Sequence, residues 1–134
     1  MTETVQAGMR LAVKTSLRFL LAAAVFLGFL AVAGCHSYGV DTTVENRTGK
    51  PVKLLEVDYP SASFGVGKLD SGAVYPYRMQ FRNSGPIKVT YTTDDERQVS
   101  IDGPHVAEKQ EGRLVIVLLP NGKAEFHPEL TPAQ

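Results

Sequence analysis

The 134-residue sequence predicts an all-β fold, a single antiparallel β-sandwich of about seven strands, for the chain beyond its first third. Apolar and polar residues alternate there with the two-residue period of strands. Clusters of Gly, Pro, Asn, Asp and Ser separate the alternating segments roughly every ten residues. No segment beyond residue 41 has the 3.6-residue period of a helix. A small closed β-barrel is the alternative architecture.

The first predicted strand spans residues 42–46, and the second spans 52–59 after a turn. In the second strand the apolar phase slips by one residue at Leu54 and Leu55, which indicates a β-bulge. A short edge strand is predicted around Phe64, because small residues surround this single aromatic.

The clearest alternation lies in residues 74–81, where Tyr75, Tyr77, Met79 and Phe81 share one face. Pro76 cannot donate a backbone hydrogen bond to a neighbouring strand. This strand is therefore predicted at an edge of its sheet, or in an irregular position.

The second half of the region begins with a predicted hairpin of residues 87–92 and 97–101. The polar residues 102–112 contain Gly-Pro and predict a longer loop. Residues 113–119 are almost continuously apolar, which predicts a central strand with Leu114, Ile116 and Leu118 on one face.

Asn121-Gly122 predicts a hairpin turn to a return strand at residues 124–127. Residues 129–134 are predicted to be a flexible tail, so the β-sandwich domain is assigned to residues 42–128. Its architecture resembles immunoglobulin-like sandwiches, although Trp is absent and Cys35 is the sole cysteine.

The first third of the chain has the three parts of a helical secretion signal. Arg10, Lys14 and Arg18 form a positive segment, and no charged residue occurs from Phe19 to Gly34. This uncharged run of 16 residues ends in small residues. A membrane-spanning helix needs about 20 residues. A cleaved signal is therefore favoured over a permanent transmembrane anchor. Met9 is the hypothesised start, since it directly precedes the basic segment.

Val32-Ala33-Gly34-Cys35 resembles the lipobox of bacterial lipoprotein precursors. The resemblance implies that residues 1–34 are removed by cleavage between Gly34 and Cys35. It also implies that the Cys35 thiol carries acyl chains of the palmitate type, which anchor the protein in a lipid bilayer of the cell envelope. Residues 35–41 are then the lipidated tether. His36, rather than Asp, follows the cysteine, which favours the outer membrane and a domain facing the periplasm or the exterior.

Charge and cysteine content exclude several classes of function. Residues 1–34 hold three of the 14 basic residues and one of the 14 acidic ones, which leaves the remainder with a net charge of −2. Such a balance provides no electrostatic basis for binding nucleic acid. With Cys35 the one cysteine, an intramolecular disulfide is impossible.

No catalytic, cofactor-binding or metal-binding motif is apparent, so no catalytic residue, cofactor or metal is predicted. His36, His105 and His127 lack metal-ligand spacing. Asp94-Asp95-Glu96 lacks the spacing of a calcium loop.

Tyr75 and Tyr77 are the candidate ligand face. We therefore expect a membrane-anchored, non-enzymatic interaction or structural module with an unidentified envelope partner. Its binding surfaces are expected in the 102–112 loop and around Phe64 and Pro76.

A carbohydrate- or small-ligand-binding domain is the alternative and requires several exposed tyrosines on one concave face. A hydrolase would require Asp94, Asp95 or a histidine beside a serine.

Overall fold

The computed structural model describes residues 17–21 and 37–134. Residues 17–21 are helical, and Tyr38–Gln134 is a compact unit of its own. The predicted lipobox with its cleavage residues Gly34 and Cys35, and the hypothesised start Met9, lie outside the described residues. Within the described residues, no helix is both long and apolar enough to cross a membrane.

The compact unit is a sandwich of two four-stranded sheets, which confirms the predicted all-β fold. It has eight strands, compared with about seven predicted. They are β1 (Val40–Asn46), β2 (Val52–Tyr59), β3 (Ala62–Leu69), β4 (Val74–Met79), β5 (Gly85–Thr92), β6 (Gln98–Val106), β7 (Gln110–Leu119) and β8 (Lys123–Pro132). The strand orders are β4-β1-β7-β8 and β3-β2-β5-β6. Both sheets are open, so each has two edge strands.

All strand pairs are antiparallel except β1 and β7, which are parallel. Successive strands reverse direction at short turns, so odd-numbered strands all run the same way. Two odd-numbered strands that become neighbours must therefore pair in parallel. This pair depends on tertiary assembly and has no signal in the local sequence.

The predicted bulge in β2 is confirmed. The register between β2 and β5 shifts between Lys53 and Glu56, and Leu54 has a φ of 47°. The extra residue turns the Leu54 side chain outward, where it is 70% exposed. Val52 and Leu55 on either side are both buried in the core. The bulge thus lets two apolar residues of opposite phase reach the same face.

The predicted positions of two further strands are also confirmed. β4, which contains Pro76, is an edge strand of its sheet. β7 is central, and its residues Leu114, Ile116 and Leu118 are fully buried between the sheets. Both assignments followed from local chemistry, since proline within a strand disfavours a central position and a continuous apolar run favours one.

The predicted loop over residues 102–112 is wrong. β6 continues to Val106 and β7 begins at Gln110, so the turn comprises only residues 107–109. A Cβ on Gly103 would lie 2.8 Å from the Cε1 atom of Phe126. This glycine therefore allows close packing against a ring and does not form a turn. Pro104 is tolerated because β6 is an edge strand.

The domain boundaries also extend beyond those predicted at both ends. β1 begins at Val40, inside the predicted tether. β8 runs to Pro132, inside the predicted tail, and pairs with β7 as far as Gln110. Pro128 and Pro132 lie within this strand, because an edge strand accepts residues that lack an N–H.

The sandwich has two ends with different turns. At the entry end, β1 begins, β8 ends, and the turns at residues 60–61, 80–84 and 107–109 meet. At the far end lie the turns at residues 47–51, 70–73, 93–97 and 120–122. The strand β7 connects the two ends over ten residues. At about 3.3 Å per residue, this corresponds to a separation of about 30 Å.

Candidate functional site

The buried side chain of Asn46 organises the far end of the sandwich. Its Nδ2 donates to the carbonyl oxygens of Lys50 at 2.8 Å and Leu69 at 2.9 Å. Its Oδ1 accepts from the backbone N–H of Thr48 at 3.1 Å and from the Thr48 hydroxyl at 2.8 Å. One amide therefore holds the 47–51 turn against the end of β3 and satisfies its own buried polar atoms.

Three of the far-end turns surround a cleft of about 490 Å³, which we call the far-end cleft. Its walls come from residues 48–52, 93–95, 97 and 119–122, and Tyr91 and Val99 also contribute to the lining. Asn121 and Gly122 have φ values of 64° and 70°, so the predicted Asn-Gly hairpin turn is confirmed and forms one wall.

The charges at the β5–β6 turn are partly neutralised. The Asp95 carboxylate accepts from the Thr93 hydroxyl at 2.5 Å and from Arg97 Nε at 2.8 Å. These two hydrogen bonds lower the pKa of Asp95. Glu96 accepts from Lys53 Nζ at 2.7 Å and raises the pKa of that ammonium group. Each pair is exposed, so it orders the turn more than it stabilises the fold.

Two charged side chains of the far-end cleft remain available to a ligand. Within residues 17–21 and 37–134, Lys50 and Asp94 make no salt bridge. They come from different turns around the same cleft. Tyr91 lies at the wall of the cleft, and burial raises its pKa. The cleft thus combines apolar walls with one cation and one anion that make no salt bridge among the described residues, although Asp94 contributes to the raised pKa of Lys53.

The acid–serine or acid–histidine arrangement required by the hydrolase alternative is not assembled in this cleft. Asp94 and Asp95 are present, but the lining includes neither serine nor histidine. His127 lies on β8, with its Nε2 3.2 Å from Glu125 Oε2, and His105 lies on β6. Among the residues described, no three His, Cys, Asp or Glu side chains group closely enough to hold a metal.

Tyr75 and Tyr77 lie on the inner face of β4 and pack against the core, each partly exposed. The ring of Phe64 on β3 stacks on Tyr77 at 4.1 Å and on Tyr75 at 6.1 Å between centroids. Tyr59 contacts Phe81 edge-on at 6.0 Å. The rings therefore close the side of the sandwich between β3 and β4, which we call the β3–β4 side.

The environment of Tyr59 supports a core role for these rings. Burial and a hydrogen bond with Tyr77 raise the pKa of Tyr59 to about 12. Tyr59 and Tyr91 are both buried. The carbohydrate-binding alternative required several exposed tyrosines on one concave face, and the structure does not bring Tyr59, Tyr75, Tyr77 and Tyr91 together in this way.

The roles of Asn46 and Leu54 were not identified from the sequence. An asparagine at a strand end, followed by Thr48 and Gly49, is the pattern of an Asx turn. This pattern could have indicated the role of Asn46. The phase slip located the bulge, but it did not show that Leu54 would be the residue turned outward.

Comparison with known proteins supports the fold. No protein-family model matches the sequence, and no curated protein matches it. The structure is similar to the NMR structure of a protein from Eubacterium rectale, with a TM-score of 0.51 and 18% sequence identity. The match covers 72% of this chain and 95% of the other. At this identity, the likeness shows a shared fold alone.

Proposed function

We propose that the protein is a lipid-anchored, non-enzymatic interaction module of the bacterial cell envelope. The observation that carries the proposal is the sequence Val32-Ala33-Gly34-Cys35, after a basic segment and an uncharged run. Cleavage before Cys35 and acylation of its thiol would leave a membrane anchor. Since each buried methylene contributes about 0.8 kcal/mol, two or three acyl chains hold a protein stably.

The position of β1 supports a defined orientation for the anchored domain. Only residues 36–39 separate Cys35 from Val40 at the entry end. A fully extended chain of this length spans about 17 Å. The entry end would therefore stay close to the bilayer, and the far-end cleft would face away from it. His36 after the cysteine favours the outer membrane as the location.

The absence of a strong charge is consistent with anchoring by lipid and not by electrostatics. The net charge of −2 beyond residue 34 would not attract the domain to an anionic bilayer surface. The domain would remain free to present its far end and its sides to other envelope components.

Small-ligand binding in the far-end cleft is a second candidate function. Its volume of about 490 Å³ falls within the range of about 300–1,000 Å³ typical of ligand pockets. Lys50 and Asp94 offer one charge of each sign to a small polar or zwitterionic molecule. This function is compatible with the same anchor and orientation.

Metabolic labelling with an alkyne fatty acid tests the anchor. We expect the wild-type protein to be labelled and to fractionate with membranes, because the lipobox offers the Cys35 thiol for acylation. Cys35→Ser should abolish the labelling. As a matched control, adding Ser37→Cys to that variant should not restore it, because the thiol would no longer follow Gly34. Labelling of the Cys35→Ser protein would disprove the proposal.

A further inference from the structure

Three of the four edge strands of the sandwich contain proline. Pro76 lies in β4, Pro104 in β6, and Pro128 and Pro132 in β8. Proline removes a hydrogen-bond donor and discourages pairing with a further strand. The edge strand β3 (Ala62–Leu69) contains none. Its backbone is thus the least protected of the four edges.

The side chains of β3 also leave its outer face open. Phe64 points into the core, and Ser63, Gly65 and Gly67 on the opposite phase are exposed. A Cβ on Gly67 would meet no atom within 4 Å. In an antiparallel ladder, every second residue directs its N–H and C=O away from the partner strand. A run of small residues lets another backbone approach those groups closely.

We propose that the β3 edge binds an extended segment of another protein by strand addition. This inference rests on the proposed function, since it names the class of partner that the anchored module takes. The added strand would extend the sheet β3-β2-β5-β6 by one member. Its inward side chains would continue the layer of Phe64 and cover the partly exposed rings of Tyr75 and Tyr77.

The charges along the β3–β4 side indicate the chemistry of the added strand. β3 itself contains one charged residue, Lys68, towards the far end. Lys68 forms an exposed salt bridge with Asp70, which contributes little to the stability of the fold. Arg82 lies by the entry-end turn, where its N–H donates to the Ser61 hydroxyl. A segment with apolar residues at alternate positions and acidic residues at both ends complements this edge.

A second copy of this chain is a poorer occupant for two reasons. Antiparallel pairing of β3 with β3 would place the Arg82 end of one copy beside the Lys68 end of the other, and these like charges repel. It would also place the two entry ends at opposite ends of the dimer. Two domains anchored through Cys35 in one membrane have the same orientation, so they could not pair in this way.

Binding of a synthetic peptide to the full-length protein in detergent micelles tests the inference. The probe is an eight-residue peptide with valine at alternate positions, serine or threonine between them, and glutamate at both ends. We expect saturable binding and slower hydrogen exchange at alternate amides of β3. Unchanged β3 exchange with peptide present at millimolar concentration, or protection confined to β6, β8 or the far-end cleft, would overturn the inference.

Charge reversal supplies the matched variants. Lys68→Glu with Arg82→Glu should weaken binding of the glutamate-ended peptide by about five- to tenfold. The same variant should favour a lysine-ended version of the peptide. Lys123→Glu on β8 is the control and should change neither affinity. Equal affinities for both peptides in all three proteins would contradict the predicted charge preference. If the peptide does not protect β3 while Cys35 is labelled in cells, strand addition is overturned and the anchor proposal still stands.

Discussion

Asn46 shows how much of this fold depends on a single buried amide. It ends β1 and is fully buried, although asparagine usually lies at protein surfaces. Its four hydrogen bonds reach Thr48, Lys50 and Leu69. The amide therefore connects the 47–51 turn to the end of β3.

We predict that Asn46→Ala lowers the free energy of unfolding by about 2–4 kcal/mol. The substitution would leave the buried Leu69 carbonyl without its donor, and an unsatisfied buried polar group costs about 1–3 kcal/mol. Urea denaturation followed by circular dichroism measures the change.

Thr48→Val is the matched control for that prediction. It removes the Thr48 hydroxyl and leaves the bond from Asn46 to Leu69 intact. We expect it to cost no more than about 1 kcal/mol. Equal losses for both variants would show that the amide has no special role.

Leu54 represents the opposite situation, an apolar residue held in a left-handed conformation at the surface. A φ of 47° is unfavourable for leucine by about 1–2 kcal/mol. The strain persists because the bulge lets Val52 and Leu55 both enter the core. Strict alternation would bury only one of these two side chains, and the second burial contributes about 1.5–3 kcal/mol, which offsets the cost of one strained residue.

At the scale of the element, β7 is the strand on which the sandwich depends most. It lies between β1 and β8 and directs Leu114, Ile116 and Leu118 between the sheets. We predict that Ile116→Ala costs about 2–5 kcal/mol, because it leaves a cavity in a fully buried layer. Chemical denaturation of the purified protein measures this loss.

Val115 provides the comparison within β7. It points to the opposite face and is partly exposed. Val115→Ala should therefore cost only about 1 kcal/mol, because less apolar area leaves water on folding. A Val115→Ala loss as large as that of Ile116→Ala would mean that the outer face of β7 is covered as completely as the inner one.

For the whole molecule, the anchor proposal makes a prediction about orientation. Glu108 lies in an entry-end turn and Lys123 begins β8 at the far end, and both are exposed. We predict that a fluorophore on Glu108→Cys is quenched by spin-labelled lipid headgroups more strongly than one on Lys123→Cys. The reason is that β7, about 30 Å long, separates the two ends.

This measurement uses the lipidated protein reconstituted into vesicles. Unlipidated Cys35→Ser carrying the same probes is the control, and we expect little quenching at either position. Equal quenching at both ends of the anchored protein would show that the domain lies flat on the bilayer and does not stand on its entry end.

Several features of the fold could be predicted from short-range patterns. The phase slip at Leu54 and Leu55 located the bulge, Pro76 indicated an edge strand, and Asn121-Gly122 indicated a hairpin. Each is a property of a few consecutive residues, so no distant contact was needed to infer it.

Other features became clear only in the folded chain. Gly103 and Pro104 were predicted to lie in a loop, yet Gly103 packs against Phe126 of β8. Residues 129–132 resembled a tail, yet β7 pairs with them. In both segments, contacts with residues distant in the sequence outweighed the local preference for a turn or an end.

The sequence alone therefore determined the all-β class and most of the strand positions, because strand periodicity and turn chemistry act over neighbouring residues. The tertiary structure decided that β1 and β7 pair in parallel and that the Asn46 side chain joins the 47–51 turn to the end of β3. It also left β3 as the edge strand without proline and brought Phe64 onto Tyr75 and Tyr77. These arrangements join residues from separate strands, and the way two sheets pack cannot be derived from the pattern within any one strand.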